Sequence, residues 1–469
     1  MEQFSEDFYS AIASYSPDRQ IITFSEDMMV CPEGANSGLF QGPKIVSYFF
    51  HEWIHYLHNV STIHGISAFS SFIGMWNAFR FTTDKFGFGS GEFNGTSAEI
   101  LKTQAYIEVL ATTRRLANKH PVGDASVERY SIISCAPMGD VNGVRDHLAL
   151  TVEKSNEAGE SVPYQMLFGP TEILESVAYL LESHLLIHAF EQERSVASVF
   201  PYHALTLLAK HLAPKLNEKE VLICGLASLQ STFPADAVFN LLLECNKLKD
   251  SGEQIEIRLK QLTINNLESH AAQLRLGLKE IYAMFPLDVG GARAVKATVS
   301  CMLKNLDLRL DNPFFELDLI EDIKIAGPNG FHNLMDELMD KHGVCSCRQK
   351  RQGSTEIIGR DVLFNFAVAG MDEKLNESRL ILLASFDYLI AHMRRDGTFQ
   401  PTTVVKRCCP FYTSCIESTR RDHPDDCKNM PWRAVTTRPD TLCIYAAGVR
   451  DLGAPEDVRE CATLSEHIE

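Results

Sequence analysis

The pattern of apolar and polar positions divides the chain into regions of different character. "RQIITF" at Arg19 to Phe24 has strand character. The apolar segment from Pro43 to about Asn59 predicts a buried helix, with Pro43 near its start, where a fixed φ and a missing N–H are tolerated. Trp53 to Phe79 contains no Lys, Arg, Asp or Glu, but His, Asn, Ser and Gly interrupt it. That predicts a buried helix pair rather than a membrane span. The glycine-rich "DKFGFGSGEFNGTSAE" at Asp84 to Glu99 predicts a flexible loop, followed by a helix through "AEILKTQAYIEVLATTRRLANKH". Three strands are expected next, in "ERYSIISCA", "HLALTVEKS" and "VPYQMLFG". "GPTEILESVAYLLESHLLIHAFEQE" then opens a helix, with Pro170 or Thr171 near its first position. From there to about Met393 helical patterns predominate, among them "ALTLLAKHLAPKL", "ADAVFNLLLECNKL" and "RLILLASFDYLIAHM". No fixed-period repeat is present. The expected class is α+β, predominantly helical, with a small antiparallel sheet inserted between helices.

Length changes this picture by implying subdivision, since 469 residues exceed the usual limit of one core. The expected units are residues 1–250, a helical region over 251–397 beginning near "KDSGEQ" (Lys249 to Gln254), and a tail over 398–469. In the tail the composition shifts to cysteine, proline and arginine. The formal charge of -17 and a pI near 5.4 argue against a duplex nucleic acid partner, whose binding depends on cations that neutralise phosphate. Solubility accounts for the charge equally well, although an acidic chain also favours basic substrates. The N-terminus "MEQFSEDFYS" carries acids where a secretory signal has basic residues, and no apolar core follows it. Thirteen cysteines in such a chain fit reduced thiols or metal ligands better than a disulfide framework. The expectation is therefore a cytoplasmic protein with no membrane partner.

The candidate chemistry is concentrated in "YFFHEWIHYLHNVSTIHG", Tyr48 to Gly65. His51, Glu52 and His55 form HExxH. Four-residue spacing on a helix puts both imidazoles on one face, where they can share a tetrahedral Zn²⁺, and Glu52 beside them can take a proton from metal-bound water. The plain alternative is a helix with fortuitously placed histidines. Against it, a buried glutamate without a compensating partner would cost several kcal/mol. His58 lies about 10 Å beyond His51 along a continuous helix, too far to join His51 and His55 around one ion; it reads as a supporting or helix-end histidine. His64 reaches the ion only if the helix turns back sharply before Gly65. His184 and His188 also have four-residue spacing, but no glutamate follows the first, and they read as a polar stripe.

On these residues the chain resembles the zincin metallopeptidases, whose active-site helix carries HExxH. The metzincin extension is absent, because His58 and Ser61 stand at its glycine and third-histidine positions. The gluzincin pattern, with a third ligand from a glutamate on a later helix, fits better. The resemblance implies a zincin-like catalytic domain in which His51, His55 and Glu175 bind Zn²⁺ and Glu52 is the general base. Glu172 is an alternative ligand one turn earlier, and Glu182 a supporting carboxylate or alternative two turns later. The short Ser176 and Ala178 are expected to let the two helices approach closely. The spacer between His55 and Glu175 is much longer than in short-spaced gluzincins, and its strands read as an insertion that shapes the cleft. Tyr164, Tyr179, Tyr202, His203, or one of His184 and His188 would stabilise the oxyanion.

A second metal is suggested by "KRCCPFYTSCIESTRRDHPDDCKNMPW", which brings together Cys408, Cys409, Cys415, His423 and Cys427 in a core-poor segment. A structural Zn²⁺, an iron–sulfur cluster and reduced buried thiols are the alternatives. Cys345 and Cys347 could complete such a site or be redox-sensitive thiols. The leading expectation is a zinc-dependent metallopeptidase acting on a protein or peptide substrate, with the helical region and tail open to a regulatory partner. The alternative is a non-catalytic, zincin-like interaction or regulatory protein.

Overall fold

The computed structural model describes residues 12–17, 20–25, 42–91, 129–138, 146–155, 161–195, 197–285, 289–350, 361–365, 373–394 and 398–454. Two short strands, β1 (Ala13–Ser16) and β2 (Ile21–Phe24), come first and pair antiparallel. Gly42 and Pro43 then open α1 (Pro43–Ser61). Pro43 occupies the first turn, and Gly42 adopts φ +102, a conformation that a β-carbon disfavours. Fourteen residues of α1 are buried, from Val46 to Ser61, so this helix is enclosed nearly all round, as a continuous apolar sequence requires.

Thr62 ends α1 and caps α2 (Ile63–Arg80): its hydroxyl accepts from Gly65 N–H at 3.0 Å and donates to His58 O at 2.7 Å. A β-carbon on Gly65 would lie 2.4 Å from His58 O, so only glycine permits this corner. The expected helix pair is therefore present, bent at Thr62. The expected helix over residues 98–120, and residues 92–99 of the glycine-rich loop, lie outside the described residues. Residues 84–91 of that loop are anchored rather than free. Asp84 Oδ1 accepts from Phe86 N–H at 2.8 Å and Phe88 N–H at 2.9 Å, and Gly87 (φ +87) presses against Val449 O.

The three expected strands are β3 (Arg129–Pro137), β4 (Leu148–Ser155) and β5 (Ser161–Phe168), an antiparallel meander with an irregularity between Ile132 and Ser134. Helices follow: α3 (Pro170–Phe190), α4 (Ala204–Leu212), α5 (Glu218–Ser228), α6 (Pro234–Ser251), α7 (Ile255–Met284), α8 (Ala292–Asp311) and α9 (Phe315–His342). "KDSGEQ" is the turn between α6 and α7, closed by Gly252 at φ +74 and by Glu253 N–H donating to Leu248 O at 3.2 Å.

The helical reading to Met393 needs one correction. β6 (Ser346–Gln349) and β7 (Val362–Asn365) interrupt it before α10 (Glu373–His392), and they complete a four-stranded sheet in the order β1-β2-β6-β7. β6 runs parallel to β2, with Ile21 opposite Ser346. Four-residue strands carry too little periodicity to be read locally, and their ladder exists only once distant parts of the chain meet.

The tail holds the short helices α11 (Ser418–Asp422), α12 (Pro424–Asn429) and α13 (Ala434–Thr437), then α14 (Ile444–Asp451). α14 packs on α10 so closely that a β-carbon on Gly448 would lie 2.6 Å from Ile381 O. Asp451 accepts from Gly290 N–H (2.9 Å) and Gly291 N–H (2.7 Å), just before α8. Arg407 holds the buried Asp387 through two contacts of 2.7 and 3.3 Å. One contiguous apolar core runs from Ile21 to Leu452 and draws on all three of the expected units. The fold is α+β and mostly helical, with two small sheets.

Candidate metal centre

α1 and α3 pack against each other and bring side chains able to ligate a metal from two distant sequence segments together. His51 and His55 lie one turn apart on α1, with ring centroids 4.9 Å apart. Glu175, from the second turn of α3, reaches both: its Oε2 is 3.1 Å from His51 Nε2 and 3.4 Å from His55 Nε2. One donor atom from each of the three lies within 4.8 Å of the others. Among the described residues this is the one group of His, Cys, Asp or Glu with that property.

The other ring nitrogen of His51, Nδ1, is 3.0 Å from Glu182 Oε2, and Glu182 Oε1 accepts from Ser195 Oγ at 3.2 Å. Glu175 and Glu182 are seven residues apart, two turns along one stripe of α3, so the helix repeat aims both at His51. A carboxylate on the far nitrogen of a ligating histidine fixes the ring and its tautomer.

The electrostatics fit a cation. His55 Nε2 is buried without a hydrogen bond. Burial lowers the proton affinity of His51, but hydrogen bonds to Glu175 and Glu182 outweigh this and raise its pKa to about 10. Burial likewise disfavours the Glu175 anion, yet His55 and His51 hold its carboxyl below the usual range. Two imidazole nitrogens and a carboxylate oxygen around one point are a donor set suited to Zn²⁺ and related divalent ions.

Glu52 lies beside this group, 8% exposed, and accepts a hydrogen bond from the backbone of Tyr15 in β1. Burial raises its pKa, opposed by His51 and His55. β1 is fixed over α1 by Tyr15 Oη donating to Asn59 Oδ1 at 3.1 Å and by the Tyr15 ring edge against Tyr56. Tyr202 closes another side, its ring centroid 5.8 Å from that of His51. Burial and the facing carboxylates of Glu175, Glu52 and Glu182 keep its phenol well above the ordinary range, hence protonated. Ser176 positions the Tyr202 segment: its hydroxyl donates to Pro201 O at 3.0 Å and accepts from Leu205 N–H at 3.1 Å. The short side chain expected to ease the approach to α1 thus ties α3 to the start of α4.

The remaining residues singled out in the sequence go elsewhere. Glu172 accepts from Gly169 N–H at 2.8 Å and caps α3. His58 Nε2 is 3.2 Å from Glu316 Oε1, in a buried cluster with Arg309 and Ser61. His64, on α2 beyond the Thr62 corner, donates its backbone N–H to Leu229 O at 3.2 Å. Tyr179 Oη donates to Ser195 O at 2.8 Å, and its ring meets His203 edge-on. His184 and His188 stack with centroids 5.6 Å apart. In the tail, Cys408 and His423 are exposed, Cys409 and Cys415 are half-buried, and Cys427 is buried. No protein-family model, curated protein or solved structure matches this chain.

Proposed function

We propose that the chain is a zinc-dependent peptidase of zincin type, with the gluzincin-like ligand set His51, His55 and Glu175. The observation that carries this reading is the approach of Glu175 to both histidines of the HExxH helix, with Glu182 behind His51 and Glu52 at its side. When bound, zinc supplies a Lewis acid that acidifies water and polarises a carbonyl. Glu52 takes the proton of the attacking water on its carboxylate and returns it to the leaving amine. Its burial raises its pKa, which makes it a stronger base toward the attacking water. Tyr202, kept protonated, donates its O–H to the oxyanion that develops on the substrate carbonyl. Glu182 holds the His51 ring in place through Nδ1.

The test is Glu52→Gln, which keeps size and polarity but cannot accept the proton. The variant is expected to retain zinc and fold while hydrolysis of an unstructured protein such as casein drops about a hundredfold to ten-thousandfold. Equal cleavage by variant and wild type would defeat the assignment. The second reading, a zincin-like protein without catalysis, is favoured by one contact, the Tyr15 backbone hydrogen bond to Glu52. In that case the wild type binds zinc and cleaves no peptide in a broad library.

A further inference from the structure

The segment that joins α3 to α4 runs back along α3 and meets the metal centre at two places. α3 ends at Phe190, where Glu191 takes a left-handed conformation, φ 51, and Gln192 N–H donates to Leu186 O at 3.0 Å. The chain is thereby reversed along the helix it has just left. From Phe190 back to Glu182 is about 12 Å of helix at 1.5 Å per residue, a distance that four extended residues cover at about 3.3 Å each. Ser195 arrives there: Tyr179 Oη donates to Ser195 O at 2.8 Å, and Ser195 Oγ donates to Glu182 Oε1 at 3.2 Å. Tyr179 and Glu182 are three positions apart and so share a face of α3, which lets one residue of the returning segment meet both. Arg194 pins the segment on its other side, donating to both oxygens of Glu218 at the start of α5, at 2.7 and 2.5 Å. Further on, the same segment sets Tyr202 against His51.

Glu182 is 3% exposed, and its two oxygens are divided between two groups. Oε2 faces His51 Nδ1 at 3.0 Å, and Oε1 takes the Ser195 hydroxyl. A carboxylate held at one oxygen alone can turn about its last bond and carry that oxygen off the ring nitrogen. Partners on both oxygens fix its plane. Through the Nδ1 contact that plane sets the tilt of the imidazole and keeps its proton on Nδ1. The nitrogen left with a lone pair is Nε2, the one that faces Glu175 at 3.1 Å.

We propose that Ser195 is a positioning residue of the metal centre, whose hydroxyl locks the Glu182 carboxylate and so orients His51 toward the ion. The proposal rests on the ligand set assigned above and adds to it a part supplied from outside the two ligand-bearing helices. Tyr179 and Arg194 hold the segment on either side of this hydroxyl, so it is presented to Glu182 in one place. Its removal leaves a buried carboxylate oxygen without its donor, free to seek another at the expense of the His51 contact.

The experiment measures zinc affinity by competition with a chromophoric chelator. It compares wild type, Ser195→Ala, Ser195→Thr, Glu182→Ala, His51→Ala and the double variant Glu182→Ala with Ser195→Ala. Ser195→Ala is expected to weaken zinc binding about fivefold to tenfold, at or below the lower end of the tenfold to hundredfold expected for losing the direct partner of a ligating histidine. Ser195→Thr keeps the hydroxyl and should bind zinc as wild type does. In the Glu182→Ala background Ser195→Ala should change nothing, because no carboxylate remains to be held. Wild-type affinity in Ser195→Ala overturns the proposal, and so does an equal loss in both backgrounds, which marks an effect through the fold rather than through Glu182. His51→Ala separates this role from the ligand assignment. If that variant binds zinc as tightly as wild type, the ligand set and the role of Ser195 fall together. If His51→Ala loses zinc while Ser195→Ala keeps full affinity, the role of Ser195 alone is overturned.

Discussion

The three glutamates of α3 have the same side chain and different work, set by what each meets. Glu175 touches both histidines, Glu182 touches the far nitrogen of one, and Glu172 caps the helix. Glu175→Ala should release zinc, because it removes a ligating oxygen and its charge. Glu182→Gln should weaken affinity by about tenfold to a hundredfold, as expected for the partner of a ligating histidine. Glu172→Ala should leave affinity unchanged and cost about 1 kcal/mol of stability as a lost cap. Chelator competition and thermal melts on the three variants separate these effects. Zinc released by Glu172→Ala but kept by Glu175→Ala would place the ligand one turn away. Tyr202→Phe provides a second residue-scale test. It should keep zinc and KM while kcat falls about a hundredfold to a thousandfold. A variant with full kcat would show that another group meets the oxyanion.

Among elements, the C-terminal end of α1 is held by a cluster that is legible only in three dimensions. Arg309 of α8 donates to Glu316 of α9 through both terminal nitrogens, Nη1 at 2.6 Å, and to Ser61 Oγ at 2.9 Å. His58 completes the cluster. Burial opposes ionisation of Glu316, but Arg309 and His58 prevail and hold it at about 2. Its folded pKa is below its unfolded value, so its contribution is present above about 4.3 and lost as pH falls toward 2. Glu316→Gln should cost about 3–5 kcal/mol at neutral pH, because Arg309 keeps a buried charge without its counter-ion. Urea unfolding of both proteins measures this. A loss within the scatter of a surface substitution, about 0.5 kcal/mol, would show that the cluster does not secure the helix.

For the molecule as a whole, buried titratable groups set the response to acid. Burial lowers His58, takes His64 and His392 to about 4, and takes His342 to about 3. Each binds a proton more readily unfolded, so the stability each contributes is present above about 6.5 and lost as pH falls. Burial raises Asp146 to about 7 and Asp451 to about 6, which acts in the opposite sense: their contribution is present below about 3.9 and lost as pH rises through those values. His64, His392 and His342 outweigh the two aspartates over this range at about 1.4 kcal/mol per pKa unit, and His58 acts in the same direction. The melting temperature of zinc-loaded protein should therefore fall between about pH 7 and pH 5. A flat or rising trend by scanning calorimetry would contradict this balance.

What the sequence by itself determined are the features whose cause is local. Pro43 and Pro170 start helices because a first turn accommodates proline, and an apolar run punctuated by Thr62 and Gly65 makes two buried helices with a corner. Three alternating segments make the meander, and HExxH spacing puts His51 and His55 on one face by helix geometry alone. The tertiary structure decided what depends on separate segments meeting. Which glutamates of α3 reach His51 on α1 follows from how the helices are rotated against each other, since all three lie on one apolar helix. The parallel pairing of β2 with β6 likewise joins strands more than 300 residues apart in sequence, with Ile21 opposite Ser346, and four residues of pattern cannot specify a partner that far away.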